Sequence, residues 1–338
     1  MLFSKNSQLI LRHYKKFKTK KVFFSGNIQD TSSLLISSIS IKIHYQKYYH
    51  WMKLSQNKIK NQNINTYFFL SKKIIKNYDT LVYYWPKNKN EAIFQLMHLL
   101  SLFSIGTEIF IVGENTSGVK SASTILDKWM KLEIIEKARN SILSSGFLIK
   151  NTKFSLKSFF QTHSWKNVLV KSLPGVFGYK KIDEGSKLLA STFKKSVRGK
   201  VLDIGCGSGF LSAYLSYFSP NAFFTLLDNN FYALISSKHT MQTNNNKSKI
   251  LMSDLYSNVS DKFDLIISNP PFHNDLKKDF SMIKKIISES IKYLKYKGEL
   301  RFVINSCFNF ENLLKKTFKK YTIIEKTNKY KVYQLFLT

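Results

Sequence analysis

Beyond Lys200 the chain repeats one pattern, in which a short apolar β-type run is followed by a loop, a helix-length stretch and another apolar run. Residues 201–204, 223–227, 250–252, 263–267 and 299–304 read as strands; 210–218, 231–244 and 283–294 read as helices between them. Strand and helix in alternation predict a doubly wound α/β sheet, which binds ligands at the carboxyl ends of its strands. Residues 321–325 and 331–337, with Asn328 between them, predict a closing antiparallel hairpin.

The loops after those strands carry the chemistry. The first is Asp203-Ile-Gly205-Cys-Gly207-Ser-Gly209, whose glycines leave the backbone bare for a ligand at a strand-to-helix turn. Alone it also suits a dinucleotide, although its spacing lacks the final x-x-G of that fingerprint. The second strand ends in Asp228, where a carboxylate can take both ribose hydroxyls of an adenosine ligand; the third ends in Ser253-Asp254-Leu255, placed to meet the adenine edge. Each acid taken singly is more often a helix cap or a solvated loop residue than a ligand. Their recurrence at consecutive strand ends points to one site.

The fourth strand ends in Asn269-Pro270-Pro271-Phe272. Proline has no N–H, so this turn offers acceptors in a fixed shape. The Asn269 side-chain oxygen and the Pro270 carbonyl can each take one N–H of a planar exocyclic amine, freeing the nitrogen lone pair to attack an electrophile. Phe272 can stack on the ring bearing that amine, a contact worth about 1–3 kcal/mol for a nucleobase.

Together, the Asp-x-Gly-x-Gly-x-Gly loop and Asn-Pro-Pro-Phe resemble S-adenosylmethionine-dependent methyltransferases that modify planar amino nitrogens. The stretches "SLPGVFG" (172–178), "IDEGSKLL" (182–189), "NPPFH", "GELRFV", "KVY" (331–333) and "VGENTSGVKSA" (112–122) narrow the resemblance to the ribosomal RNA small subunit methyltransferase C family. That resemblance implies methyl transfer from S-adenosyl-L-methionine to N2 of a guanine of 16S rRNA in the small (30S) ribosomal subunit. It implies catalytic roles for Asn269, Pro270 and Phe272 and cofactor contacts from Asp203, Gly205, Gly207, Gly209, Asp228, Asp254 and Leu255, with no metal. Readings kept beside it are a 23S rRNA guanine-N2 methyltransferase, a release-factor glutamine methyltransferase and a non-catalytic RNA-binding assembly factor. His273 is expected to contact RNA or support the site rather than act as a base. Phe177 is either a lid over the cofactor or a core residue of a plain loop. Asp183 is expected to cap a helix, and Lys329 and Lys331 to be solvated.

An internal duplication is visible in the first half. Lys21-Val-Phe-Phe-Ser-Gly26 parallels Lys200-Val-Leu-Asp-Ile-Gly205 at an offset of 179; Tyr78-Asp-Thr-Leu-Val-Tyr-Tyr84 parallels Phe263-Asp-Leu-Ile-Ile-Ser-Asn269 at 185; and Glu108 parallels Glu299 at 191. The first copy loses the chemistry, with Asn-Ile-Gln after Gly26 and Tyr84-Trp85-Pro86-Lys87 in place of Asn-Pro-Pro-Phe. The expectation is two tandem Rossmann-like methyltransferase domains. Residues 1–165 form a degenerate one that binds no cofactor and holds RNA or braces its neighbour, and 166–338 form the catalytic one.

Charge bears on the partner. Lys and Arg number 53 against 21 Asp and Glu, a net charge of +32, and only Arg12, Arg139, Arg198 and Arg301 are arginine. Abundant Lys, Asn, Ile, Phe and Tyr look like the product of an AT-rich genome, yet the shortage of acids remains, and such a field attracts polyanions. Residues 204–227 lack formal charge but hold three glycines and Pro220-Asn221, which break a membrane span. Cys206 and Cys307 have no paired spacing, so reduced thiols in a soluble, monomeric, cytoplasmic protein are expected.

Overall fold

The computed structural model describes residues 3–56, 64–67, 70–271, 280–318 and 320–338. They form two compact units, Met1–Phe159 and Phe160–Thr338.

In the first unit seven strands, β1 (Lys21–Gly26), β2 (Ser40–His44), β3 (Ile64–Tyr67), β4 (Thr80–Tyr84), β5 (Glu108–Glu114), β6 (Glu133–Ala138) and β7 (Ser141–Phe147), lie in the order β3-β2-β1-β4-β5-β7-β6. The second unit begins with a hairpin of β8 (Gln161–Trp165) and β9 (Val168–Ser172). Its sheet contains β10 (Gly199–Ile204), β11 (Ala222–Asp228), β12 (Ser248–Met252), β13 (Phe263–Ser268), β14 (Leu294–Asn305), β15 (Thr322–Lys326) and β16 (Tyr330–Phe336) in the order β12-β11-β10-β13-β14-β16-β15. The two orders are the same. In each sheet five parallel strands are followed by two more, the last of which runs antiparallel between the fifth and the sixth, the sixth forming the edge.

The strands are apolar because both sheet faces are covered, as a parallel sheet requires. On β13, Leu265 and Ile267 join one core while Phe263 and Ile266 join the other. On β4, Leu81 and Tyr83 face one core and Val82 and Tyr84 the opposite one. The duplication reaches single hydrogen bonds: the Lys21 amide donates to the Asp79 carboxylate, and the Lys200 amide to that of Asp264.

Three features differ from the sequence expectation. The units divide at Phe159/Phe160, ahead of 165/166, because β8 (Gln161–Trp165) pairs with β9, and β9 is stitched to the helix Phe231–Thr243 of the second unit. Leu169 N–H donates to Asn244 Oδ1, Lys171 N–H to Thr240 Oγ1 and Leu173 N–H to Ser236 Oγ. The last parallel strand starts at Leu294, directly after the helix Ser281–Tyr293, and bends where Lys297 takes φ +61° and Gly298 passes close to the Phe263 carbonyl. A helix, Glu311–Phe318, precedes the closing hairpin. Among the described residues, no helix is long and apolar enough to cross a membrane.

Candidate active site

In the second sheet the chain leaves β10 toward β11 on one side and returns to β13 on the other, so the carboxyl ends of β10 and β13 flank the topological switch point. Of the sequence-selected residues, Gly205, Gly207 and Asn269 line one crevice there, whereas Asp203 is buried beneath the loop, Asp228 ends β11, and Asp254 and Leu255 follow β12, two strands from β10. Gly205, Gly207 and Gly209 follow β10 with φ of +69°, +53° and +78°, backbone that glycine adopts without strain. A Cβ added at Gly205 would meet nothing within 4 Å, so the space beside this exposed glycine lies open toward the crevice. Gly209 is held differently, since a Cβ there would lie 3.0 Å from Ser237, pinning the loop against the helix Phe231–Thr243. From Gly209 starts the uncharged helix Phe210–Phe218, whose first amides face the loop.

Asp203 is the unusual member. It points into an apolar core face at 1% exposure, with Oδ2 accepting from Ser212 Oγ at 2.7 Å and Oδ1 buried without a partner. Burial pushes its carboxyl up to about 7, against the Ser212 hydrogen bond, and the nearby Asp228 charge adds to the rise. A buried, unpaired carboxylate oxygen costs stability unless something arrives to use it.

Asp228, at the end of β11, braces the loop: Oδ2 accepts from Gly207 N–H at 3.0 Å and Oδ1 from Asn230 N–H at 2.8 Å. After β12, Ser253 ties a tight turn together, its hydroxyl donating to the Leu255 carbonyl at 2.6 Å and accepting from Asn258 N–H at 3.1 Å. Leu255 sits at φ +52°, a strained position for a branched side chain, and Asp254 beside it is half-buried.

At the end of β13, Asn269 is half-buried, Pro270 buried and Pro271 exposed. The Asn269 Nδ2 donates to Asp183 Oδ2 at 2.9 Å and to Ser186 Oγ at 2.7 Å. A carboxylate accepts only, so this pairing fixes the amide and turns Oδ1 away from Asp183. Asp183 does cap a helix, Glu184–Ser191, through Ser186 N–H at 2.9 Å. Phe177 is 61% exposed and lines the same crevice as Gly205, Gly207, Asp183 and Asn269, so it is not a core residue. Phe272 and His273 lie outside the described residues. Sequence reading did not find the link from Asp183 and Ser186 to Asn269, because the partners lie 86 and 83 residues apart.

The first unit holds aromatic side chains where the second holds its polar ones. The offset of the first strands pairs Phe24 with Asp203. Register pairs Gly26 with Tyr84; continued one residue past the Ile204/Ser268 pair it sets Asn269 beside Gly205, and continued past the Phe24/Ile43 and Ile204/Leu227 pairs it places Tyr45 where Asp228 stands. Phe24, Tyr45 and Tyr84 are 0%, 2% and 1% exposed, and burial pushes the Tyr84 hydroxyl up to about 12.

Residues 167–334 match the Methyltransferase small domain family and residues 7–163 the Methyltransferase small domain N-terminal family. The chain is 57% identical over 336 residues to the ribosomal RNA small subunit methyltransferase C of Buchnera aphidicola subsp. Acyrthosiphon pisum, covering 99% of each chain. It is 54% identical over 339 residues to that of Buchnera aphidicola subsp. Schizaphis graminum, covering 100% of each. A T. thermophilus 16S rRNA N2 methyltransferase, solved in complex with AdoMet and guanosine, shares the fold at a TM-score of 0.84 with 18% identity. The match covers 99% of this chain and 92% of that one.

Proposed function

The chain belongs to the ribosomal RNA small subunit methyltransferase C family, and from that premise we propose how it acts: it transfers a methyl group from S-adenosyl-L-methionine to the exocyclic N2 of a guanine in 16S rRNA. One observation carries this reading, the meeting at a single switch point of a bare glycine loop over a buried, unpaired Asp203 oxygen with the oriented amide of Asn269.

The residues present suit the cofactor. The loop at Gly205, Gly207 and Gly209 admits it against bare backbone, Asp203 offers the orphaned carboxylate oxygen to a cationic group, Asp228 lies at the strand end suited to a ribose diol, and Asp254 with Leu255 lies one strand further out for the adenine. When bound, S-adenosylmethionine supplies the electrophilic methyl group. The protein supplies position. Asn269 Oδ1 and the Pro270 carbonyl accept the two N–H bonds of the guanine amine, holding nitrogen in line for attack, and this near-attack placement replaces the entropy of encounter. The N–CH3 bond forms as the S–CH3 bond breaks, and the proton on the now acidic nitrogen passes to water. Stacking on the base is the role assigned to Phe272 by its sequence motif, and the exposed Phe177 lines the crevice as a cover for the cofactor. No strong base is required.

The substrate guanine is presented within the 30S subunit, to a monomer working in the cytoplasm. The first unit binds no cofactor and serves RNA binding or support, a reading supported by the buried Phe24, Tyr45 and Tyr84 in place of Asp203, Asp228 and Asn269. That unit is built on a seven-stranded sheet of the same strand order as the second, whereas a release-factor glutamine methyltransferase is expected to carry a helical N-terminal domain that does not echo its catalytic half. The test in cells is mass mapping of methylated guanine in rRNA. Deleting this protein should remove one N2-methylguanine from 16S rRNA, and an unchanged methylation map would overturn the reading.

A further inference from the structure

We propose that Asp183 is a positioning residue for the transfer, holding Asn269 so that its Oδ1 is the atom offered to the guanine amine; this rests on the reading of Asn269 given above. An asparagine amide presents an acceptor on one edge and a donor on the other. A donor edge facing the guanine amine would repel it, so the orientation of Asn269 decides whether the site works. A single carboxylate oxygen, Asp183 Oδ2, sets it, accepting from Asn269 Nδ2 at 2.9 Å and from the Ser186 amide at 2.9 Å, while Ser186 Oγ accepts the second Nδ2 hydrogen at 2.7 Å.

The duplication within the chain separates this role from helix capping. The helix Lys5–Arg12 precedes β1 at the same offset of 179 at which Glu184–Ser191 precedes β10, and both helices have 8 residues. At that offset Ser4 corresponds to Asp183 and Ser7 to Ser186. Ser4 caps its helix by accepting from Ser7 N–H at 3.2 Å, as Asp183 does from Ser186. Serine and aspartate are comparable caps, so capping does not call for a carboxylate. The copy with serine at the cap has the buried Tyr84 at the position of Asn269; the copy with aspartate has the amide to be oriented. The carboxylate therefore goes with Asn269.

The full-length chain gives the test, with 30S subunits and tritiated S-adenosylmethionine as substrates. Asp183→Ser keeps a cap but its hydroxyl is too short to serve both partners; we expect melting temperature, calorimetric S-adenosylmethionine affinity and KM for S-adenosylmethionine to stay at wild-type values while kcat falls about 10- to 100-fold. Asp183→Asn retains one side-chain oxygen able to accept both N–H groups, and should recover kcat to within about 10-fold of wild type. Wild-type kcat in Asp183→Ser would overturn the proposal, as would equal loss in both variants or a loss of cofactor affinity or melting temperature that accounts for the fall. A wild-type protein that labels no guanine would instead overturn the reading of the function, and this inference with it.

Discussion

Asp228 and Asn269 stand at the ends of β11 and β13, on either side of β10, and the proposed function gives them different partners. Asp228→Ala removes the acceptor of Gly207 N–H and the proposed ribose contact, and should weaken S-adenosylmethionine binding about 10- to 100-fold by calorimetry, the range for hydrogen bonds to a charged group. Asn269→Ala should leave that affinity near wild type and lower kcat by about 100-fold or more, because its proposed contact is with the reacting amine. Equal loss of affinity in the two variants would contradict the assignment. Asp203 adds a pH dependence. Burial raises its carboxyl to about 7 from an ordinary value near 4, so between those limits the folded chain keeps a proton that the unfolded chain has lost. Stability of the cofactor-free protein should therefore fall as pH rises from about 4 to 7 and level off above, by an amount on the order of a few kcal/mol, and Asp203→Asn should flatten that slope in urea titrations. An identical slope in both proteins would show that Asp203 is ionised throughout. The acids and Asn269 were legible in the sequence as residue types at strand ends. The unpaired Asp203 oxygen and the Asp183 contact were not, since both depend on side chains meeting across the fold.

The elements most easily read from sequence are those with one dominant signal. The helix Phe210–Phe218 follows three glycines and carries no charge, and β10, β11 and β13 are apolar on both faces. The hairpin β8–β9 has no glycine at its turn, where Lys166 takes φ +51° instead, and the helix Glu311–Phe318 is short and rich in lysine, so neither has a strong local signature. Glycine geometry supplies a prediction for the first unit. A Cβ at Gly26, which has φ +94°, would lie 2.2 Å from the Tyr84 carbonyl oxygen, so Gly26→Ala forces backbone apart at the end of β1. It should destabilise that unit by about 2 kcal/mol or more while the calorimetric affinity for S-adenosylmethionine, proposed to bind the second unit, stays unchanged. A matching loss of S-adenosylmethionine affinity would mean that the site depends on the first unit.

For the whole molecule, the repeated sheet order turns weak sequence echoes into one statement: two copies of a fold, one with polar groups at the switch point and one with buried aromatics. Calorimetry on the full chain should accordingly find one S-adenosylmethionine site, weakened in Asp228→Ala; two sites would contradict the assignment of the first unit. The net charge of +32 concerns the partner, and activity on RNA should fall steeply from low to physiological salt as lysine–phosphate contacts give way to counterions. The central claim is the identity of the methylated atom. Purified protein, tritiated S-adenosylmethionine and, in separate reactions, unmodified 30S subunits, 50S subunits, free rRNA and release factor test it most directly. The result expected is label in N2-methylguanine of 16S rRNA from 30S subunits; label confined to 23S rRNA or to glutamine would contradict it.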